Sequence, residues 1–131
     1  MKVMVGIGCD RDVSLQTLQT ALTQALQQCG LQEAHIAGLA SIDKKHDEVA
    51  LLQLAAKKQW SIAFYPAAQL AVIPVPNPSA VVQHYMGTPS VSEAAAIIAA
   101  KTDMQHLLIE KHKYLGMDGK NATISIASVS T

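Results

Sequence analysis

The stretch that decides the fold stands at the start of the chain: Lys2-Val3-Met4-Val5-Gly6-Ile7-Gly8-Cys9-Asp10-Arg11. Residues 2–7 are mostly apolar and rich in β-branched side chains, a pattern that predicts a short buried strand. This run ends at Gly6-Ile7-Gly8, which predicts a turn that tolerates only small residues. Apolar residues at helical spacing then predict a helix that Ser14 caps and Gly30 terminates. The chain therefore begins as a strand, a glycine turn and a helix.

This alternation continues through the rest of the chain. Short apolar runs predict strands at 34–39, 60–65, 107–109 and 123–127, and helices are expected at 47–58, 67–70, 78–86 and 94–100. Asn77 is the expected cap of the third of these helices, Ser90 and Glu93 form an expected capping box for the last, and residues 111–121 are expected to be a polar loop. The predicted fold class is a three-layer α/β/α structure with a mostly parallel mixed sheet of five or six strands and helices on both faces. Because no helix precedes the last strand, we expect it to run antiparallel to its predecessor.

Composition narrows the class of protein. The 131 residues fit a single domain over 1–131, and ten basic residues balance ten acidic ones. A neutral chain has no extended basic surface for nucleic acid, so no nucleic-acid partner is predicted. No apolar run is long enough to span a membrane, and no signal peptide is recognisable, so we expect a cytoplasmic protein without membrane attachment.

The glycine turn is the first candidate site. The sequence Gly6-x-Gly8 resembles the start of a dinucleotide fingerprint, but Arg11 occupies the third glycine position, which argues against that function. Main-chain N–H groups around Gly6, Gly8 and Cys9, together with the Arg11 guanidinium, would suit a carboxylate or phosphate. A tight structural turn beside a solvated arginine explains the same residues equally well.

Two further polar stretches follow predicted strands. Ser41, Lys44 and Lys45 are candidate ligand-binding residues, and Asp43, His46 and Asp47 are candidate catalytic acids and bases. A solvated loop and helix start would also account for this stretch.

Lys111 and Lys113 are the ligand-binding candidates of the third stretch, and they share a face if the chain there is extended, with His112 turned away. Exits of parallel strands lie at one edge of a sheet, so the three stretches should converge there. The five histidines and two cysteines show no metal-ligand spacing, so neither a metal nor a cofactor is predicted.

Several motifs, taken in order, resemble one family. They are Gly6-Ile7-Gly8-Cys9 with Arg11, Leu39-Ala40-Ser41-Ile42-Asp43 with the following lysines, Asp47-Glu48, Pro76-Asn77-Pro78-Ser79, Gly87-Thr88-Pro89-Ser90-Val91-Ser92-Glu93-Ala94-Ala95-Ala96, Glu110-Lys111-His112-Lys113-Tyr114 and Ala122-Thr123-Ile124-Ser125-Ile126-Ala127. Over nearly the whole chain they resemble the C-terminal domain of the cobalamin-biosynthesis protein CbiG and its stand-alone relative CobE.

This resemblance implies a part in forming the corrin ring of vitamin B12. CbiG-like proteins open a lactone of cobalt-precorrin-5A and release acetaldehyde, whereas no reaction is firmly tied to CobE-like proteins. The first hypothesis is binding or presentation of a precorrin-type tetrapyrrole rich in carboxylates. The second is an enzyme, a cobalt-precorrin-5A hydrolase or a part of one. The third is a structural module in which the Ala-rich helix 94–100 forms a homodimer or docks other cobalamin-biosynthesis enzymes.

Overall fold

A computed structural model describes residues 1–130 of the chain. Its five strands are β1 (Val3–Cys9), β2 (Ile36–Ile42), β3 (Ser61–Tyr65), β4 (Leu107–Leu115) and β5 (Asn121–Ser128). Its five helices are α1 (Leu15–Gln28), α2 (Val49–Lys58), α3 (Ala67–Ala71), α4 (Ala80–Met86) and α5 (Val91–Ala100). Three short 3-10 turns flank the strands: Glu33–His35 precedes β2, Asp43–Lys45 follows β2, and Met104–His106 precedes β4.

The strands form one mixed sheet in the order β3-β2-β1-β5-β4. Strands β1, β2 and β3 pair in parallel, whereas β5 is antiparallel to both of its neighbours. Strand β4 therefore points in the same direction as β1, β2 and β3. This confirms the predicted fold class and the antiparallel last strand, and it brings the carboxyl ends of β1, β2 and β4 to one edge.

Helices cover both faces of the sheet. On one face α1 and α2 pack against large aliphatic side chains of the strands, such as Val5, Leu39 and Ile124. On the other face α5 lies across β1, β2, β4 and β5, and its contacts are mostly alanines. Gly6 makes this close approach possible, because a Cβ there would overlap Ser92 O and lie 2.7 Å from Ala96 N.

One predicted cap and one predicted capping box are wrong. Ser79, not Asn77, caps α4, since its Oγ accepts a hydrogen bond from the N–H of Val82 at 3.2 Å. Ser90 is the N-cap residue of α5, as predicted, but it makes no side-chain cap hydrogen bond, and Glu93 accepts from Asn77 Nδ2 at 2.7 Å. The predicted ends of α1 are confirmed, with Ser14 capping the helix and Gly30 at φ +70° just after it.

Strands β2 and β4 extend well beyond their predicted ends at residues 39 and 109. Strand β2 extends to Ile42, so Ser41 belongs to the sheet and not to the polar loop after it. Strand β4 extends to Leu115, so the predicted loop 111–121 is a strand over most of its length. Pairing with β5 from His112 to Leu115 explains the extension. The actual turn is short, and its Asp118 accepts hydrogen bonds from Ser14 N and Thr17 Oγ1 at the start of α1, both at 2.9 Å.

The Ala-rich helix is not a free docking surface. Seven successive residues of α5, from Val91 to Ile97, are buried, as is Ala100, since the helix lies against the chain's own sheet. This burial contradicts the hypothesis that the helix docks other proteins or a second copy of the chain. Among the five helices of residues 1–130, none is both long and apolar enough to cross a membrane.

Candidate functional site

A cavity of about 520 Å³ opens at the edge of the sheet that holds the carboxyl ends of β1, β2 and β4, on the face that α5 covers. Gly8, Cys9, Asp10 and Arg11 contribute from the end of β1 and the turn after it. Lys45 contributes from the turn after β2, and Lys111 and Lys113 from β4. The predicted convergence of three distant polar stretches is therefore what the structure shows.

Arg11 links the turn after β1 to the turn after β2 through hydrogen bonds. Its Nη1 lies 2.9 Å from Asp47 Oδ1, and its Nη2 donates to Lys44 O at 2.8 Å. The bond from Arg11 is the main reason why the pKa of Asp47 lies below its usual value. Nη1 also lies 3.3 Å from Oε1 of Glu48, close enough for an ion pair but not aligned for a hydrogen bond. The guanidinium is thus largely engaged by the protein itself.

All three candidate catalytic residues lie outside the cavity lining. Asp43 and His46 are exposed at the 3-10 turn after β2, where His46 Nδ1 lies 2.8 Å from the main-chain oxygen of Asp43. Asp47, the third, is exposed and paired with Arg11. The structure therefore holds these residues near the rim, and not on the cavity wall.

The two neighbouring lysines of this turn differ. Lys44 is exposed, and its Nζ donates to the main-chain oxygen of Tyr85 on α4 at 3.3 Å. Lys45 is buried, with 8% of its surface exposed, and it lines the cavity. The turn therefore uses one lysine to hold α4 in place and presents the other to the cavity.

A bulge in β4 orients the third stretch. Ile109 pairs with Ile126 and His112 with Ile124, so β4 has one residue more than β5 between these pairs. Glu110 and Lys111 consequently both reach Asn77, through its side chain and its main-chain oxygen. Burial lowers the pKa of Lys111, and the charge of Lys113 lowers it further while that of Glu93 opposes the shift.

Lys111 and Lys113 share the cavity side of β4, as predicted. His112 points to the opposite face, where its Nε2 lies 2.8 Å from Oε1 of Gln24 and its Nδ1 lies 3.0 Å from Nε2 of Gln28 on α1. The alternation of side chains along an extended strand accounts for this arrangement.

Of the remaining predicted residues, Ser41 and Gly6 do not line the cavity, whereas Gly8 and Cys9 do. Ser41 is fully buried, and its Oγ donates to Ile7 O at 2.7 Å. Gly6 faces the backbone of α5 and does not line the cavity. Gly8 and Cys9 do line it, and burial raises the pKa of the Cys9 thiol to about 12, so this group is uncharged at neutral pH. Within residues 1–130, no three His, Cys, Asp or Glu side chains are grouped so that they could hold a metal ion.

One wall of the cavity was missed by sequence reasoning. Helix α4 supplies Val81, Val82, Tyr85 and Met86. Val81 and Tyr85 are 67% and 72% exposed, although they are large apolar side chains. The signal was present in the sequence, because the proline and glycine motifs at 76–79 and 87–90 bracket this helix. The spacing of apolar residues within the helix, however, does not show which side of the helix faces solvent.

The chain is similar to several proteins of cobalamin biosynthesis. It is 30% identical over 125 residues to the cobalt-precorrin-5A hydrolase of Priestia megaterium, covering 95% of this chain but only 32% of that enzyme. It is 28% identical to the protein CobE of a Sinorhizobium species, over 98% of this chain and 81% of that one.

The structural comparisons agree with these relatives. A crystal structure of CobE, a protein from the cobalamin (vitamin B12) biosynthetic pathway, matches with a TM-score of 0.80 and 31% identity over 95% of this chain and 93% of that one. The cobalamin biosynthesis protein chiG of Agrobacterium tumefaciens shares the fold, with a TM-score of 0.66 and 24% identity over 98% of this chain and 99% of that one. The family model described as cobalamin synthesis G C-terminus matches residues 3–127. The chain therefore belongs to this family of cobalamin biosynthesis proteins.

Proposed function

We propose that the domain binds a precorrin-type tetrapyrrole with several free carboxylates during formation of the corrin ring. The observation that carries this proposal is the composition of the cavity wall. Arg11, Lys45, Lys111 and Lys113 line it from three separate parts of the chain. Asp10 is the acid among the lining residues that the structure describes, and its carboxylate accepts from Asn121 N at 2.7 Å. An excess of cations suits a ligand with many carboxylates.

The apolar wall supports the same ligand class. Tyr85 and Val81 on α4 lie one helical turn apart and expose apolar surface at the mouth of the cavity. Such surface is costly to leave in water and gains free energy when a ligand covers it. A tetrapyrrole has an apolar ring and charged groups around its rim, so one side would cover α4 while the rim meets the lysines.

The space available is extended, which also fits a large ligand. A second cavity of about 420 Å³ adjoins the first and shares Ser79, Lys111 and Lys113 with it. Each volume is in the range of small-molecule sites. Lys111 and Lys113 therefore lie between the two cavities, where both could contact carboxylates along one side of a bound tetrapyrrole.

Hydrolysis is the less supported alternative for this chain. A lactone hydrolase needs a base near the bound lactone, but Asp43 and His46 lie outside the lining and Asp10 is engaged by Asn121. The hydrolase named above is also about three times as long as the segment that this chain matches. A purified domain that released acetaldehyde from cobalt-precorrin-5A would show that the activity resides here and would overturn this preference for binding.

The binding proposal is tested with uroporphyrin III, a tetrapyrrole with acetate and propionate carboxylates, and with its uncharged methyl ester. We expect the visible absorbance of the free acid to change on mixing and the ester to bind much more weakly. Lys111→Ala and Lys113→Ala, measured separately, should each cost about 1.5–3 kcal/mol, or about tenfold or more in affinity. His112→Ala is the matched control, because its side chain lies on the opposite face of β4. Equal and small effects of all three substitutions would refute the proposed site.

A further inference from the structure

The four cations that line the cavity differ in what the protein already offers them. Arg11 is close to Asp47, Lys44 O and Glu48, and Lys111 donates to Asn77 O at 3.0 Å. Lys113 is exposed, so water can solvate its ammonium. Lys45 has no protein partner and little exposure: it is 8% exposed, its Nζ makes no hydrogen bond or ion pair with any residue of the part of the chain described, and it meets solvent through the cavity that it lines.

The groups around Lys45 do not supply the missing partner. Glu48, one turn later, is buried, but its Oε2 accepts from Asp12 N at 3.0 Å and its Oε1 lies nearest to Arg11. The Cys9 thiol feels the charge of Lys45, yet burial keeps it protonated and neutral. A side chain that is largely buried and carries a charge without a protein partner is costly, so such groups are normally paired. The space beside Lys45 that remains for an acceptor is the cavity itself.

The backbone also holds Lys45 in a defined position. The residue ends the 3-10 turn Asp43–Lys45, and its main-chain oxygen accepts from Glu48 N at 2.9 Å. Arg11 ties the neighbouring main-chain oxygen of Lys44 to the turn after β1. The lysine is therefore preorganised before any ligand arrives, which lowers the entropic cost of binding.

We infer that Lys45 is the deep anchor of the cavity, whose ammonium pairs with one carboxylate of the ligand and so sets the orientation of the ring. This inference rests on the proposed function and adds the residue that determines specificity. Arg11 acts as a positioning residue that holds the two turns together, and Lys111 and Lys113 meet carboxylates nearer the opening. A ligand whose inserted carboxylate is an ester or an amide loses this pairing.

The experiment compares Lys45→Met with Lys57→Met. Methionine keeps most of the length of the apolar stem but removes the charge, and Lys57 is an exposed lysine on α2, remote from the cavity lining. For each protein we would measure the thermal midpoint without ligand, and the affinity for uroporphyrin III and for its methyl ester. Lys45→Met should raise the midpoint of the free protein, because it removes a buried charge without a partner. It should also weaken binding of the acid by about tenfold or more and leave binding of the ester unchanged. Lys57→Met should change neither quantity.

Each other result overturns a definite part of the inference. A lower midpoint for Lys45→Met would mean that the ammonium stabilises the free fold, and an equal loss of acid and ester binding would mean that the stem only packs. Unchanged acid binding by Lys45→Met, together with a loss for Lys113→Ala, would place the anchor on β4 and leave the proposed function intact. Absence of uroporphyrin binding by the natural sequence would refute the proposed function and this inference with it.

Discussion

The two faces of the sheet are packed with side chains of very different size. Under α1 and α2, large residues such as Leu18, Leu22, Leu51 and Leu54 meet the valines and isoleucines of the strands in one continuous core. Under α5, alanines meet a glycine on β1 and further alanines on β2 and β5. The first face separates helix and sheet by full side chains, whereas the second brings the helix backbone onto the strand.

This difference explains where the cavity lies. Small residues let α5 sit deep against β1, and the cavity opens beyond the first residue of this helix, Val91, at the carboxyl edge of the sheet. The short helix α4 covers part of that space instead. The large side chains under α1 and α2 thus supply most of the buried apolar area, and the small residues under α5 leave room for a site. The predictions below test this division.

The largest effect should come from shortening a side chain on the bulky face. Leu22→Ala removes a side chain that is 1% exposed in the core under α1. We expect the free energy of unfolding to fall by about 2–5 kcal/mol, through lost burial and the cavity that remains. Urea denaturation followed by circular dichroism measures it. A loss of less than about 1 kcal/mol would show that this face is not the main source of stability.

The close-packed face should be sensitive in the opposite direction, to added bulk. Gly6→Ala places a methyl group against the α5 backbone at Ser92 and Ala96, which cannot rotate away as a side chain would. We expect a loss of about 1–3 kcal/mol in the same denaturation experiment. Gly8→Ala is the matched control, since its Cβ would contact Val91 Cβ at an ordinary 3.8 Å and should change stability by less than about 1 kcal/mol. Equal losses at the two glycines would contradict the close approach of helix and strand.

A smaller effect is expected at the rim of the cavity. Arg11→Ala removes the contacts with Asp47 and Lys44 and leaves the buried carboxylate of Glu48 without its nearest cation. Because the arginine is exposed to solvent, which screens its charge, we expect a smaller loss in unfolding free energy than for Gly6→Ala. Lys113→Ala should leave stability unchanged while it weakens uroporphyrin binding. If Lys113→Ala lowered stability and Arg11→Ala weakened binding alone, Lys113 would be the positioning cation and Arg11 the binding cation.

The smallest effect concerns acid stability. Hydrogen bonds, first from Ser14 and also from Thr17 and Lys120, lower the pKa of Asp118 from 3.8 to about 2. A group with a lowered pKa in the folded state stabilises above its unfolded pKa, and this contribution is lost as pH falls from about 4 to about 2. Asp118→Asn should therefore lower the thermal midpoint slightly at pH 7 and flatten its decline over that acid range. Parallel curves for the two proteins would show that the carboxylate does not titrate in this way.

Sequence reasoning succeeded where one physical signal dominated. The helical spacing of leucines and the end signals Ser14 and Gly30 located α1 to within a residue, because caps and apolar stripes act locally. The convergence of Arg11 with Lys111 followed from the rule that parallel strands exit at one edge. Both are consequences of short-range patterns and general topology.

The predictions were wrong where contacts between residues distant in sequence determined the structure. Asn77 sits where a cap is expected, but its side chain bonds to Glu93 and Glu110, which are distant in sequence. Residues 111–115 read as a polar loop because lysines and a histidine are unusual in strands, yet pairing with β5 made them a strand. The catalytic candidates Asp43 and His46 were close in sequence to the site, but nothing local indicated that their turn would place Lys45 inward and these two outward.

The position of β5 between β1 and β4 has a consequence for the order of folding. The first strand pairs over its whole length with the last, from Val3 opposite Ser128 to Cys9 opposite Ala122. During synthesis, β1 to β3 can pair as soon as they emerge, but β1 keeps an open edge until residues 121–128 follow. Contacts between such distant residues close the longest loops and slow folding. The sheet, and with it the cavity, is therefore completed only after residues 121–128 have been synthesised, and until then the exposed edge of β1 is the place where a nascent chain is open to mispairing.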